Sequence, residues 1–184
     1  MPQSLFSLAE DIRRCTACPL WKGRILPVPG EGFADAPIMV IGEAPGEQED
    51  REGLPFVGRG GQFFMDLLES INVKRSDLFI TNSVKCRPPK NRTPTMKECG
   101  ECNDLWLQKQ ITLLNPKLII LVGGVAVRTC LGKGSVGKLH GTVITKEGRK
   151  YFVMYHPAAA LRFPTIRKIM EKDLVTLKKV VGEI

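Results

Sequence analysis

Nothing in this 184-residue sequence approaches the roughly 20 consecutive apolar residues of a membrane-spanning helix, which predicts a soluble chain with no membrane partner. Residues 1–15 also lack the basic start and apolar stretch of a secretory signal and carry Glu10 and Asp11 instead. A protein that stays inside the cell, in the cytoplasm, is expected. Internal repeats and low-complexity segments are missing too, so neither a solenoid array nor a flexible linker is predicted. Acidic charge is scarce: 19 Asp and Glu stand against 27 Lys and Arg, for a net charge of +8 and a pI near 9.3. That balance suits a polyanion, because neutralising phosphates releases condensed counterions. Nucleic acid is the first candidate partner, although a basic surface with no special partner has the same charge.

What is present is ordinary in bulk. A composition 43% hydrophobic and 25% charged is that of a globular protein, and the length suits one domain over residues 1–184. Four apolar, β-branched runs read as buried strands: Ile38 to Ile41, Leu78 to Val84, Lys117 to Val122 and Tyr151 to Tyr155. Helical spacing fills the intervals. Phe63, Phe64, Leu67, Leu68 and Ile71 share a face, as do Leu105, Ile111 and Leu114, and then Ile166, Ile169, Met170, Leu174, Leu177 and Val180. Strands alternating with helices predict a three-layer α-β-α fold with a four-stranded parallel central sheet. Val143 to Thr145 is a possible short extra strand leading through Lys146-Glu147-Gly148-Arg149 into the last one.

The unusual residues fall at the carboxyl ends of these strands. Gly42-Glu43-Ala44-Pro45-Gly46 follows the first, Asn82 lies near the end of the second, Gly123-Gly124 follows the third and His156-Pro157 the fourth. That edge is where open α/β sheets bind ligands, so residues far apart in sequence can converge there.

Six cysteines in an intracellular chain argue for metal or redox chemistry before disulfides. Cys15 and Cys18 form a Cys-x-x-Cys pair before Pro19, close enough to hold one metal centre. Cys86 follows a strand, and Cys99 and Cys102 lie three residues apart at the start of a helix, on one side of it. Either of these last two completes a four-thiolate set, which suits tetrahedral zinc or an iron-sulfur cluster alike. Cys130, within apolar Val127 to Leu131, reads as core.

The stretches Gly42 to Asp50, Gly53-Leu54-Pro55-Phe56-Val57-Gly58, Thr81 to Pro89, Asn91-Arg92-Thr93-Pro94 and His156-Pro157-Ala158 together resemble the family 4 uracil-DNA glycosylases over nearly the whole chain. The resemblance implies a DNA repair enzyme that flips uracil out of single- or double-stranded DNA and hydrolyses its N-glycosidic bond, leaving an abasic site. It also implies a structural 4Fe-4S cluster in place of zinc, and no nucleotide cofactor. Its ligands would be Cys15, Cys18, Cys86 and Cys102, the last because the family's fourth cysteine stands four residues after a glutamate, here Glu98. Cys99 is an addition to that pattern. A monomer is expected of a small enzyme that surrounds a flipped nucleotide.

By the same resemblance, Phe56 stacks on the flipped base, and Asn82 donates to uracil O4 and accepts from N3-H, a pattern cytosine reverses. His156 donates to O2, where charge collects, with backbone N-H groups of the Glu43-Ala44 turn as further donors. Family 1 enzymes position the attacking water with an aspartate, and Ala44 stands at the matching place, so Glu43, with Glu49 behind it, is expected to orient the water or steady the cationic sugar. Lys85, Arg87, Lys90 and Arg92 make a basic, proline-rich phosphate loop near Asn91. Leu161 is a wedge for the DNA groove, and Arg162 a phosphate contact. His140 is assigned a structural place. The arginine-rich insertion of a product-trapping variant class is absent from Val136 to His140, so turnover is expected. The rivals are a non-catalytic nucleic-acid-binding domain with a four-cysteine metal site, and a redox sensor built on Cys15 and Cys18.

Overall fold

The β-branched runs form strands wherever helices cover them on both sides. In the computed structural model, which describes residues 4–184, β1 (Ile38–Gly42), β2 (Leu78–Asn82) and β3 (Leu118–Val122) are buried at every position, as parallel strands between two helical layers must be. β4 (Val143–Lys146) is short and half exposed, and β5 (Arg149–Met154) is buried from Tyr151 onward. The sheet order is β2-β1-β3-β5-β4. Its first four strands are mutually parallel, while β4 pairs antiparallel with β5.

The sheet therefore has five strands in place of the four expected. The cause is local: Glu147 and Gly148, between the paired Lys146 and Arg149, both adopt positive φ, 51° and 76°, the geometry that two-residue hairpins favour.

In chain order the helices are α1 (Leu5–Arg13), α2 (Glu47–Glu52), α3 (Arg59–Glu69), α4 (Met96–Cys102), α5 (Gln108–Leu114), α6 (Gly124–Leu131), α7 (Val136–Leu139), α8 (Pro157–Arg162) and α9 (Pro164–Gly182). On one face of the sheet, Phe64, Leu67 and Leu68 of α3 and Met170, Leu174, Leu177 and Val180 of α9 pack on Val40, Ile120 and Phe152. On the other, Leu107, Ile111 and Leu114 join Ala126, Val127 and Cys130 of α6 against Met39, Ile41, Leu121 and Val153. Each of the larger fully buried side chains contributes about 1.5–3 kcal/mol of transfer free energy, so the two apolar faces supply the main drive for the layering.

One helical face departs from its sequence pattern. A π turn over Asn103–Leu107 joins α4 to α5, and the extra residue in that turn rotates the helix beyond it. Leu105 consequently faces outward, 38% exposed, and Leu107 takes the buried place.

Candidate active site

A cleft of about 750 Å³ opens at the carboxyl edge of the sheet, and Glu43, Ala44, Phe56, Asn82 and His156 all line it. Glu43 and Ala44 follow β1, Asn82 ends β2, and His156 caps α8 just after β5. Register places Gly42 directly beside Asn82. A Cβ at Gly42 would stand 2.4 Å from Asn82 Oδ1 and 2.8 Å from the Phe56 ring, so glycine is what lets the two side chains meet over the strand end. At the end of β3, Gly123 (φ +95°) makes the same allowance for His156, whose Cβ would be 3.0 Å from an added methyl.

Asn82 is 3% exposed, yet among the described residues its side-chain amide makes no hydrogen bond. The amide instead faces the cleft, where its donor and acceptor are open to a ligand. Phe56 is the other anomaly. It is 7% exposed and adopts φ 55°, a conformation unfavourable for a bulky aromatic residue. Its neighbours impose it: Arg75 Nη2 donates to Pro55 O at 2.7 Å, Glu49 Oε1 accepts from Val57 N and Gly58 N at 3.1 and 2.8 Å, and the Phe64 ring lies 5.6 Å away, tilted by 49°.

These contacts change the place of Glu49. Its Oε2 also accepts from Gly46 N at 3.0 Å, so three backbone N-H groups occupy the carboxylate expected to orient water. It lines the cleft but acts as a brace between α2 and the Phe56 turn. Glu43 is not braced in this way; burial pushes its carboxyl up, against the Thr93 side chain and Arg128, which favour the anion. Burial pushes the His156 imidazole down, against a weaker pull from Glu49. The neutral ring accepts from Ala158 N at Nδ1, 3.2 Å away, which leaves the proton on Nε2 as a donor.

Behind Ala44 lies a second cavity, lined by Cys15, Cys18, Cys86 and Cys102. Cys99 is fully buried but does not line it. Cys130 sits in the core of the opposite layer, as expected. Two donors that carry no signal in the sequence point at the sulfurs: Trp106 Nε1 at Cys15 Sγ, 3.3 Å, and Arg24 Nη1 at Cys86 Sγ, 3.1 Å. Burial pushes the Cys102 thiol to about 12 and raises Cys18 and Cys86, so thiolates form there only beside added positive charge. Among the described residues, no three His, Cys, Asp or Glu side chains close on one ion-sized point.

The basic loop differs from expectation at one position. Lys85 is not the phosphate contact that its charge and loop suggest: it is 2% exposed, and its Nζ donates to Thr81 Oγ1, Gln110 Oε1 and the Asn82 carbonyl at 2.6, 2.7 and 2.8 Å. No group so enclosed reaches DNA. Arg92 lines the cleft, but its guanidinium forms a two-pronged pair with Glu98, 2.9 and 2.7 Å, and so ties the loop to α4. Arg87 holds Asn91 Oδ1 at 2.7 Å and approaches Glu47 at 3.4 Å. The cations of the cleft with no ion pair among the described residues are Arg162 and Arg59, the second without a signal in the sequence. Leu161 and Phe163, 46% and 56% exposed, flank Arg162. His140 has the structural place expected, with Nδ1 3.0 Å from Asp173 and its ring 5.0 Å from that of Tyr155.

The Arg92 hydrogen bonds hold the Glu98 carboxyl down at about 2, against an ordinary 4.5. A carboxyl with a lowered folded-state value stabilises above its unfolded value and stops doing so as the pH falls through the folded one. Thermal melts of the protein and of Glu98→Gln should therefore differ most above pH 4.5 and converge towards pH 2.

The strand ends of this parallel sheet thus bring an amide, an imidazole and an aromatic ring together over one cleft, at the edge where α/β sheets bind ligands. The Uracil DNA glycosylase superfamily model matches residues 29–177. The type-4 uracil-DNA glycosylase of Saccharolobus solfataricus is 44% identical over 185 residues, covering 95% of this chain and 85% of the relative. Those of Sulfurisphaera tokodaii and Thermotoga maritima are each 39% identical, covering 96% and 95% of this chain and 84% and 93% of theirs. The chain belongs to the uracil DNA glycosylase superfamily, and within it to the type-4 family.

Proposed function

We propose that this protein takes a uracil nucleotide flipped out of DNA, hydrolyses its N-glycosidic bond and releases free uracil, leaving an abasic site. The observation that carries this is the buried Asn82 amide, open to the cleft beside Phe56. Uracil O4 accepts from the amide NH₂ and N3-H donates to its oxygen, satisfying both ends; cytosine meets donor with donor and acceptor with acceptor. A base that leaves the amide unsatisfied loses about 1–3 kcal/mol per missing bond.

Bond cleavage places negative charge on uracil O2 and positive charge on the sugar. The His156 Nε2 proton stabilises the first, as an oxyanion donor does, and does so as neutral imidazole, with no prior protonation needed. The Glu43 carboxylate orients the water or steadies the sugar cation, since the oxygens of Glu49 are held by the backbone. Arg59 and Arg162 contact phosphates beside the flipped nucleotide, and Leu161 fills the space that the base vacates.

An iron-sulfur cluster, as the family resemblance implies, suits the second cavity. Four thiols line it, and N-H donors address two of the sulfurs. Cys15, Cys18, Cys86 and Cys102 would hold the cluster, which supplies a rigid anchor for the loops around the cleft. Incubation with an oligonucleotide containing one uracil, followed by alkali, should break the strand at that position and leave a cytosine control intact. Cleavage no greater than that of the Glu43→Ala, His156→Ala double variant would overturn the proposal.

A further inference from the structure

Lys85 is the one fully buried ammonium in the described core, and base excision as set out for Asn82, His156 and Glu43 makes no use of it. Its three acceptors lie around the end of β2. It donates to the Thr81 hydroxyl, to Gln110 Oε1 and to the main-chain carbonyl of Asn82, the residue whose side chain reads the base. The set is closed on the far side. Gln110 Nε2 donates to Pro29 O at 2.7 Å and Thr81 Oγ1 to the same oxygen at 3.0 Å, while Val28 N donates to Lys85 O at 2.7 Å.

Asn82 needs such support. It is the last residue of its strand, so its carbonyl lies where the ladder ends, and a buried carbonyl must find a donor. Its Oδ1 sits so close over Gly42 that a methyl there would come within 2.4 Å, which leaves the side chain little freedom once the backbone is set. Whatever fixes the Asn82 peptide therefore aims the amide.

We infer that Lys85 is the positioning residue of the base-reading amide: its ammonium fixes the Asn82 carbonyl and thereby holds the Asn82 side chain on the uracil edge. The inference rests on the proposed reading of Asn82. A phosphate contact and a merely structural lysine make different predictions. Loss of a phosphate contact lowers the salt dependence of DNA binding by roughly 0.9 in slope. Loss of structural support lowers stability and adds independently to any defect at Asn82.

The experiment is a double-mutant cycle on single-turnover excision from uracil DNA, using Lys85→Met, Asn82→Ala and the pair, with thermal melts and the salt dependence of DNA binding measured for each. Lys85→Met should slow excision about 10- to 100-fold, the range expected when a catalytic group is displaced by around an ångström. KM for DNA and the salt slope should hardly change. In the Asn82→Ala background the same substitution should add nothing. Should Lys85→Met fail to fold, Gln110→Leu, which removes one of the three acceptors, replaces it in the cycle with the same expectation at smaller size. Additive defects, or a salt slope lowered by one phosphate, would overturn the inference while leaving the Asn82 reading intact. An Asn82→Ala variant that excises uracil at the wild-type rate would instead refute that reading itself.

Discussion

Replacing His156 with alanine is expected to slow uracil excision by about 10²–10³-fold, the usual cost of losing one oxyanion donor, while KM for DNA stays within a few-fold. The cause is electrostatic. Nδ1 is occupied as an acceptor by Ala158 N-H, so the Nε2 proton is aimed before substrate arrives and no reorganisation is needed as charge develops on O2. Burial keeps the ring neutral to a lower pH than a solvent-exposed histidine, so the rate should stay level through the ordinary histidine range as the pH is lowered. His156→Gln, which keeps an N-H donor, should recover part of the loss. A variant within a few-fold of wild type, or a rate that follows an unshifted histidine titration, would remove His156 from the role given to it.

Cys102→Ala is expected to abolish incorporation of iron and acid-labile sulfide and to lower the melting temperature steeply, whereas Cys99→Ala keeps both close to wild type. The two thiols lie one helical turn apart and share one apolar cluster, but only one of them reaches the cavity. Cys102 lines the same cavity as Cys15, Cys18 and Cys86, while Cys99, fully buried in the same apolar cluster, does not line it. Without Cys102, three thiols would remain to hold the cluster, whereas removing Cys99 leaves a small void at a cost on the order of 1 kcal/mol. Removal of the donors Trp106 or Arg24 belongs between these extremes, since hydrogen bonds to ligand sulfur tune a centre without holding it. Iron lost from Cys99→Ala and retained in Cys102→Ala would reverse the assignment.

Much of the cleft is legible in the sequence because strand ends announce themselves: an apolar run stops and glycine, asparagine or histidine comes next. Asn82, Glu43 and His156 stand out in that way and do share one cleft. What a strand end cannot announce is who partners whom. Charge and loop composition place Lys85 and Arg92 on DNA, yet Gln110, 25 residues away, holds Lys85 inside, and Glu98, six residues away, pairs with the exposed Arg92. Glu49 has the residue type of a catalytic carboxylate but the position of a helix brace, fixed by backbone N-H groups of a turn eight and nine residues on.

Other features carry signals that are readable only in part. Gly42 and Gly123 mark strand ends, but their reason is close approach by Asn82, Phe56 and His156, which needs the sheet register. Leu105 fits an ideal helical period, and the π turn that displaces it has no local sequence mark. Arg59, Arg24 and Trp106 have ordinary surroundings in the sequence and acquire meaning only from cleft and cavity. The fifth strand, by contrast, is half visible in Glu147-Gly148, a turn that favours a hairpin.

The most direct measurement is the free base itself. Purified protein incubated with duplex and single-stranded DNA, each containing uracil or cytosine at one position, should release uracil, detected chromatographically in amounts equal to the abasic sites formed, and no cytosine. No free uracil above the level of the Glu43→Ala, His156→Ala variant, from a protein that holds its iron and binds the same DNA, would contradict uracil excision as the work of this cleft.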